Sequence, residues 1–177
     1  MNLKAIDGIV KAILASIQFS ELPIDIENIA RHRGLEVIPY PLENEISGIL
    51  VIDPIKSTIG YNNSDSIVRR RFTIAHELGH YELHRNITHL FYDKDFKVMF
   101  RTSKTENQDA HQQLEREANA FAAALLMPEE AVKAKMSKVE FDLGNVNEKA
   151  IKDLAKLFNV STTAMYYRMA NLSLIDL

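Results

Sequence analysis

A chain of 177 residues, 46% hydrophobic and 25% charged, is long enough to bury one core and has the composition of a single globular domain. It has no cysteine, which excludes disulfides, cysteine-bound zinc and thiol nucleophiles, so a metal site must use histidine and carboxylate ligands. The net charge of -3 gives no general attraction for nucleic acid. Neither a secretion signal nor an apolar run of about 18 residues is found, so we expect a cytoplasmic protein without a membrane partner.

The first half of the chain predicts two helices and a small sheet. Apolar residues recur every three or four positions over 4–17, which indicates an amphipathic helix. A shorter helix is expected over 25–34, because its final glycine suits the left-handed position after a helix. Three β-rich segments, 35–40, 47–52 and 57–61, predict an antiparallel meander. We therefore expect the α+β class, mostly helical, with a three-stranded sheet before the next helix.

The second half predicts helices throughout, apart from one long connection. The connection, 86–109, is expected to be a functional loop with a possible strand at 96–100. Helices are expected over 67–84, about 114–126, from 128 onward, 147–158 and 162–171. We predict one domain over 1–177, with a core at 25–130 and the C-terminal helix pair, 145–172, packed on it.

The central helix carries the H-E-x-x-H pattern at His76, Glu77 and His80. Helical positions four apart differ by about 40° and about 6 Å of rise, so the two imidazoles can bind one ion. Glu77 lies to the side, from where its carboxylate can act as a general base toward a water molecule. Gly79, inside the same helix, costs about 1 kcal/mol against alanine, which indicates a closely packed neighbouring backbone.

The following apolar helix offers the remaining groups of a metal site. A catalytic zinc needs about three protein ligands and a position for water. Glu115 flanks the apolar stripe of this helix as the histidines flank theirs, so packing the stripes together would bring it to the metal. Asn119, on the same face, can hydrogen-bond a metal-binding imidazole and fix its tautomer. His111 is an alternative ligand, whereas Glu117 projects from the opposite edge of the stripe.

Other polar residues near the motif have simpler expected roles. His84 is expected to end or pack the helix, since helix geometry carries it away from a single ion. The arginines at 69–71 are expected to form a solvated helix start that pairs with nearby acids, in preference to a nucleic-acid site. Tyr61, Tyr81 and Tyr92 either assist an oxyanion near the metal or pack in the core.

These motifs resemble the hallmarks of the ImmA/IrrE family of metallopeptidases. The first is RFTIAHELGH at 71–80 and the second is EREANAFAAALLMP at 115–128, within a likeness that covers about 25–170. The resemblance implies a zincin-like metallopeptidase domain with its catalytic core at 25–130. It further implies that Glu115 is the third zinc ligand and that Asn119 stands where related zinc peptidases often have an aspartate. It also implies regulated proteolysis in bacteria and mobile elements, with a helix-turn-helix repressor or antitoxin as substrate. Zn²⁺ is the expected cofactor, and the ligand set is compatible with Mn²⁺ or Fe²⁺.

Two alternative hypotheses compete with the peptidase. Residues 154–164 have the spacing of a helix-turn-helix, which would make the chain a DNA-binding regulator. The second helix offers Tyr166, Tyr167 and Arg168 in place of several basic or amide base readers, so we do not expect direct nucleic acid binding. A protein-binding module with a structural metal would not need Glu77 as a base. For a peptidase, the 86–109 loop and the sheet edge are the expected substrate contacts.

Overall fold

The computed structural model describes six segments of the chain, namely residues 1–17, 21–42, 46–87, 90–94, 106–137 and 148–175. Over these residues the elements in chain order are α1 (Leu3–Ser16), α2 (Ile26–His32), β1 (Glu36–Tyr40), β2 (Ile46–Val51), β3 (Thr58–Asn62), α3 (Ile67–His84), β4 (Leu90–Lys94), α4 (Glu106–Leu126), α5 (Glu129–Met136), α6 (Glu148–Phe158) and α7 (Thr162–Asn171). No helix in these segments is long and apolar enough to cross a bilayer.

Local side-chain caps determine where several helices begin. Asp25, Ser66 and Ser161 each accept a hydrogen bond from the backbone N–H three residues on, at the starts of α2, α3 and α7. Gly34, two residues after α2, has a φ of 87°, as predicted from its position. Helix α4 begins at Glu106, inside the segment predicted to be a loop. The residues at 109–113 are exposed, so this end of the helix carries no apolar stripe that the periodicity could detect.

The sheet is mixed and has four strands in the order β1-β3-β2-β4, so the prediction of a three-stranded antiparallel meander was wrong in its pairing. Strands β2 and β3 are antiparallel, and β1 runs parallel to β3. Strand β4 follows α3 in the chain and pairs antiparallel with the second edge of β2. Because both edges of β2 are paired, one with β3 and the other with β4, β1 pairs with the remaining edge of β3. The α+β class is confirmed, while the strand predicted at 96–100 lies outside the described residues.

Helix α3 lies between the sheet and α4 and is buried on both sides. Its residues Ile74 and Leu78 are almost fully enclosed, as is Phe121 of α4. Gly79 stands where the two helices cross, because a Cβ at this position would lie 3.1 Å from the carbonyl oxygen of Ala118. The predicted close approach of a neighbouring backbone is therefore confirmed, and the motif helix is held between two layers.

The arginines of α3 and α7 connect the helices to other elements. Arg69 donates to Ser47 Oγ in β2 (3.0 and 2.9 Å), and Arg71 donates to the carbonyl of Asn159 in the α6–α7 turn (3.3 Å). The prediction of a solvated start that pairs with acids was therefore wrong for Arg71, which donates to backbone carbonyls within the protein, while Arg69 also binds a hydroxyl of the sheet. In α7, the buried Arg168 donates to the Met127 carbonyl (3.0 Å).

Candidate metal centre

Three potential metal ligands from α3 and α4 converge on one point. The Nε2 atoms of His76 and His80 are 3.1 Å apart. The carboxylate of Glu115 lies 3.3 Å from His76 Nε2 and 3.2 Å from His80 Nε2. In the described segments, one ligand atom from each of these residues lies within 4.8 Å of the other two. The crossing of α3 and α4 thus brings the predicted third ligand to the two histidines.

The electrostatics of these groups favour a bound cation. Burial lowers the pKa of the His80 imidazole to about 4, although the adjacent Glu115 carboxylate opposes this shift. Burial also raises the pKa of the Glu115 carboxyl, but its contacts with His76 and His80 outweigh burial and hold the pKa well below its usual range. At neutral pH the cluster therefore offers a neutral imidazole at His80 and an ionised carboxylate at Glu115, which are the protonation states that a metal requires.

The outer nitrogen of His76 has a partner on α4. His76 Nδ1 lies 3.0 Å from Asn119 Oδ1. An amide oxygen only accepts hydrogen bonds, so this contact places the imidazole proton on Nδ1 and leaves the Nε2 lone pair toward Glu115. Asn119 thus lies where it can fix the tautomer of a metal-binding histidine.

His84 and Glu117 occupy places that the sequence did not predict. The buried His84 lies 3.2 Å from the outer nitrogen of His80, with Nδ1 facing Nδ1. Its Nε2 lies 2.9 Å from Glu117 Oε2. Burial raises the pKa of the Glu117 carboxyl, but hydrogen bonds, led by the one from the amino group of Met1, outweigh burial and hold the pKa at about 2. Glu117, which was expected only to project from the opposite edge of the stripe, therefore pairs with His84, and His84 contacts polar groups as well as the core.

The predicted base Glu77 is fully buried between α3 and strand β2. A Cβ on Gly48 of β2 would lie 3.0 Å from Glu77 Oε1 and 2.3 Å from Thr73 Cγ2. Only glycine leaves room here for the strand backbone to approach the helix. The carboxylate of Glu77 is thus confined by the backbone of β2.

The remaining neighbours show where the cluster is enclosed. Phe91 of β4 stacks on the His80 ring, with centroids 4.4 Å apart and an interplanar angle of 21°. His111 is exposed, and its Nε2 lies 4.0 Å from Glu115, so it stands on the solvent side of the cluster. Tyr81 packs under the Arg85 guanidinium and Tyr61 lines a small cavity beside α2, while the side chain of Tyr92 lies outside the described part of the structure.

The donor set fits a divalent transition metal. Two imidazole nitrogens and one carboxylate on neighbouring helices, with at least one position left for water or substrate, are the donors of catalytic zinc sites. Two of the three side chains are nearly inaccessible, whereas that of Glu115 is 12% exposed, so the cluster is reached from the Glu115 side. His76, His80 and Glu115 are therefore the residues that could hold such an ion.

Comparisons with known proteins agree with this chemistry. Residues 30–170 match the peptidase family M78 model, described as the IrrE N-terminal-like domain. The chain is 31% identical over 118 residues to immunity region protein 2 of Bacillus phage phi105, a match that covers 67% of each protein. It is also similar to a solved Mycobacterium tuberculosis transcriptional regulator, at 16% identity and a TM-score of 0.65, over 94% of this chain. The match covers 47% of that regulator, so this chain spans about half its length, and the likeness shows the fold alone. The resemblance seen at 71–80 and 115–128 is confirmed, and the chain belongs to the IrrE N-terminal-like family of M78 peptidases.

Proposed function

We propose that this protein is a zinc-dependent endopeptidase that cleaves a helix-turn-helix transcriptional repressor or antitoxin. The observation that carries the proposal is the convergence of His76, His80 and Glu115 on one point, with Glu77 next to His76 in the sequence of the same helix. Membership of a peptidase family supports hydrolysis of peptide bonds, and the cluster supports a metal cofactor. Zinc is preferred because its catalytic sites use this donor set, although Mn²⁺ and Fe²⁺ accept the same ligands.

The mechanism assigns a separate role to each side chain. His76, His80 and Glu115 would hold the ion, which supplies Lewis-acid polarisation of the peptide carbonyl and makes a water molecule acidic. Glu77 takes the proton of the attacking water and passes it to the leaving amine. Its confinement against β2 limits the positions that its carboxylate can reach. Asn119 keeps the His76 ring in one tautomer and orientation.

Strand β4 is the best-placed element to align a substrate peptide. It forms one edge of the described sheet, and its residue Phe91 packs directly on His80. An extended peptide that adds to this edge would gain main-chain hydrogen bonds and pass close to the cluster. We therefore propose that cleavage occurs in an extended or locally unfolded segment of the substrate.

The choice of a repressor as substrate rests on kinship and on the kind of relative found. The phage phi105 protein is named for an immunity region, and the solved structure of similar fold is a transcriptional regulator. A peptidase of this family acting on a regulator would connect proteolysis to transcription. The oligomeric state does not enter the proposal.

Direct DNA binding through α6 and α7 is the weaker candidate. Arg168 is the one cation in the sequence of α7, and its guanidinium is buried against Met127 and Asp7. The exposed side chains of α7 are Thr163, Tyr167 and Asn171, which offer no charge for phosphates. This helix therefore lacks the exposed cations with which a recognition helix contacts the DNA backbone.

The test combines metal analysis with cleavage of the repressor encoded next to the gene. Wild-type protein should contain close to one equivalent of zinc and cleave the repressor at a defined site. Glu77→Gln should keep the metal and lose cleavage, by a factor of at least about 10². Glu130→Gln, the same change at an exposed position on α5, should behave as wild type. A metal-free protein that binds operator DNA and cleaves nothing would refute the proposal.

A further inference from the structure

We propose that His84 and Glu117 are positioning residues that hold His80 in its metal-binding orientation through a chain of two hydrogen bonds. This inference rests on the proposed metal site. The chain runs from Glu117 Oε2 to His84 Nε2 (2.9 Å), and from His84 Nδ1 to His80 Nδ1 (3.2 Å). It ends at His80 Nε2, the atom that faces Glu115.

The arrangement of donors and acceptors permits one consistent assignment of protons when a metal is bound. A metal on His80 Nε2 takes that lone pair, so the ring proton must be on Nδ1 and must be donated outward. The acceptor is His84 Nδ1, which therefore carries a lone pair, and the His84 proton lies on Nε2. That proton points to Glu117 Oε2, which accepts it. Every polar atom along the chain thus has a complementary partner.

Burial makes this orientation costly to lose. The side chains of His80 and His84 are 2% and 3% exposed, so water has little access to their outer nitrogens. A buried N–H without an acceptor costs about 1–3 kcal/mol. The stacked Phe91 ring covers a face of His80 and offers no hydrogen-bond acceptor in its place. His84 is therefore the group that satisfies the outer nitrogen of this ligand.

The two metal-binding histidines are held in parallel ways. Asn119 of α4 contacts the outer nitrogen of His76 directly, whereas Glu117 of the same helix reaches that of His80 through His84. Residues in such positions typically change metal affinity by about 10–100-fold when they are removed. The structure thus assigns His84 a function for the metal site that its place at the end of α3 does not suggest.

The experiment measures metal affinity directly, without relying on activity. The Kd for Zn²⁺ is obtained by competition with a chromophoric chelator, and the site geometry by the visible absorption spectrum of the Co²⁺-substituted protein. His84→Ala should raise the Kd by about 10–100-fold and alter the Co²⁺ spectrum. His84→Gln should restore most of the affinity, because its amide oxygen can accept from His80 and its amide nitrogen can donate to Glu117. His32→Ala, the same change at an exposed histidine of α2, is the control and should leave the Kd and the Co²⁺ spectrum unchanged.

A second variant and a stability measurement separate positioning from packing. Glu117→Leu should also raise the Kd for Zn²⁺, but by less than His84→Ala does, because Glu117 acts on His80 only through His84. The unfolding temperature of the metal-free proteins reports packing, and its increase on addition of Zn²⁺ reports the site. If His84→Ala lowers only the unfolding temperature of the metal-free protein and leaves the Kd and the Co²⁺ spectrum unchanged, the inference is overturned. A wild-type protein that binds neither ion would instead refute the proposed function.

Discussion

Replacing Gly48 by alanine tests how tightly strand β2 confines Glu77, the proposed general base. The new Cβ would lie 2.3 Å from Thr73 Cγ2 and 3.0 Å from Glu77 Oε1. Thr73 is fully buried and β-branched, so its methyl group has few alternative positions. The φ of Gly48 is outside the left-handed region, which means that the cost is steric and not conformational. Strand β2 is paired on both edges and cannot retreat alone.

The magnitude follows from two opposing terms. Overpacking by a methyl group costs about 1–3 kcal/mol, whereas replacing glycine by alanine inside a strand returns about 0.5–1 kcal/mol. The free energy of unfolding of Gly48→Ala should therefore fall by about 1–2 kcal/mol, measured by urea denaturation of the metal-free protein. Peptide hydrolysis by the zinc-loaded protein should also fall, because the added carbon displaces the Glu77 carboxylate.

A double-mutant cycle identifies the cause of that loss. Thr73→Ser removes the clashing Cγ2 and keeps the hydroxyl, so it should recover at least about 0.5 kcal/mol in the Gly48→Ala background. Hydrolysis should remain low in the double variant, since the contact with Glu77 persists. Gly8→Ala is the control: no atom lies within 4 Å of its Cβ, and the helix should gain up to about 1 kcal/mol. Wild-type stability for Gly48→Ala, or additive effects in the cycle, would refute the reasoning.

Three further predictions concern the ligands and the buried charges. Glu115→Ala should abolish stoichiometric metal binding whereas His111→Ala should retain it, as measured by metal analysis after dialysis; loss of metal in both would restore His111 as a ligand. Because burial lowers the pKa of His80 to about 4 from 6.5, the unfolded chain binds a proton first as the pH falls. The free energy of unfolding of the metal-free protein should therefore decrease from pH 6.5 to 4, and less steeply in His80→Gln. Arg168→Met removes the hydrogen bonds to Asp7 and Met127 and should lower the free energy of unfolding by about 1.5–3 kcal/mol, with an unchanged value contradicting a structural role.

Local features of the fold were predictable because their causes lie within a few residues. Ser66 and Ser161 cap the helices that follow them, and Gly34 takes the left-handed conformation for which glycine is suited. Strand pairing depends on distant segments, so the parallel contact of β1 with β3 was not predictable from the spacing of the strands. Strand β4 was missed because it is a short segment whose pairing to β2 is visible only in the folded chain.

In the candidate site, too, the positions set within one helix were predictable, whereas those set by contact between helices were not. The relative position of the His76 and His80 side chains was predictable from their spacing of four residues, since both lie on one helix. Glu115 was inferable from the phase of its own helix, and the structure brings it to the pair. His84 and Glu117 were each placed by the phase of their own helix, which puts both away from the expected metal ligands. Their contact with each other depends on how α3 and α4 cross, which the pattern of a single helix does not give.

Helix geometry explains why those two residues meet. Eight residues of α3 separate His76 from His84 and rotate the side chain by about 80°, which removes His84 from the ion. On α4, two residues separate Glu115 from Glu117 and rotate it by about 200°, to the opposite edge of the stripe. The close crossing at Gly79 brings two carboxylates of α4 to the row of histidines on α3, Glu115 at His76 and His80 and Glu117 at His84. One helix crossing thus positions both the proposed third ligand and the groups proposed to orient the histidines, so a displacement of α4 would disturb all of them together.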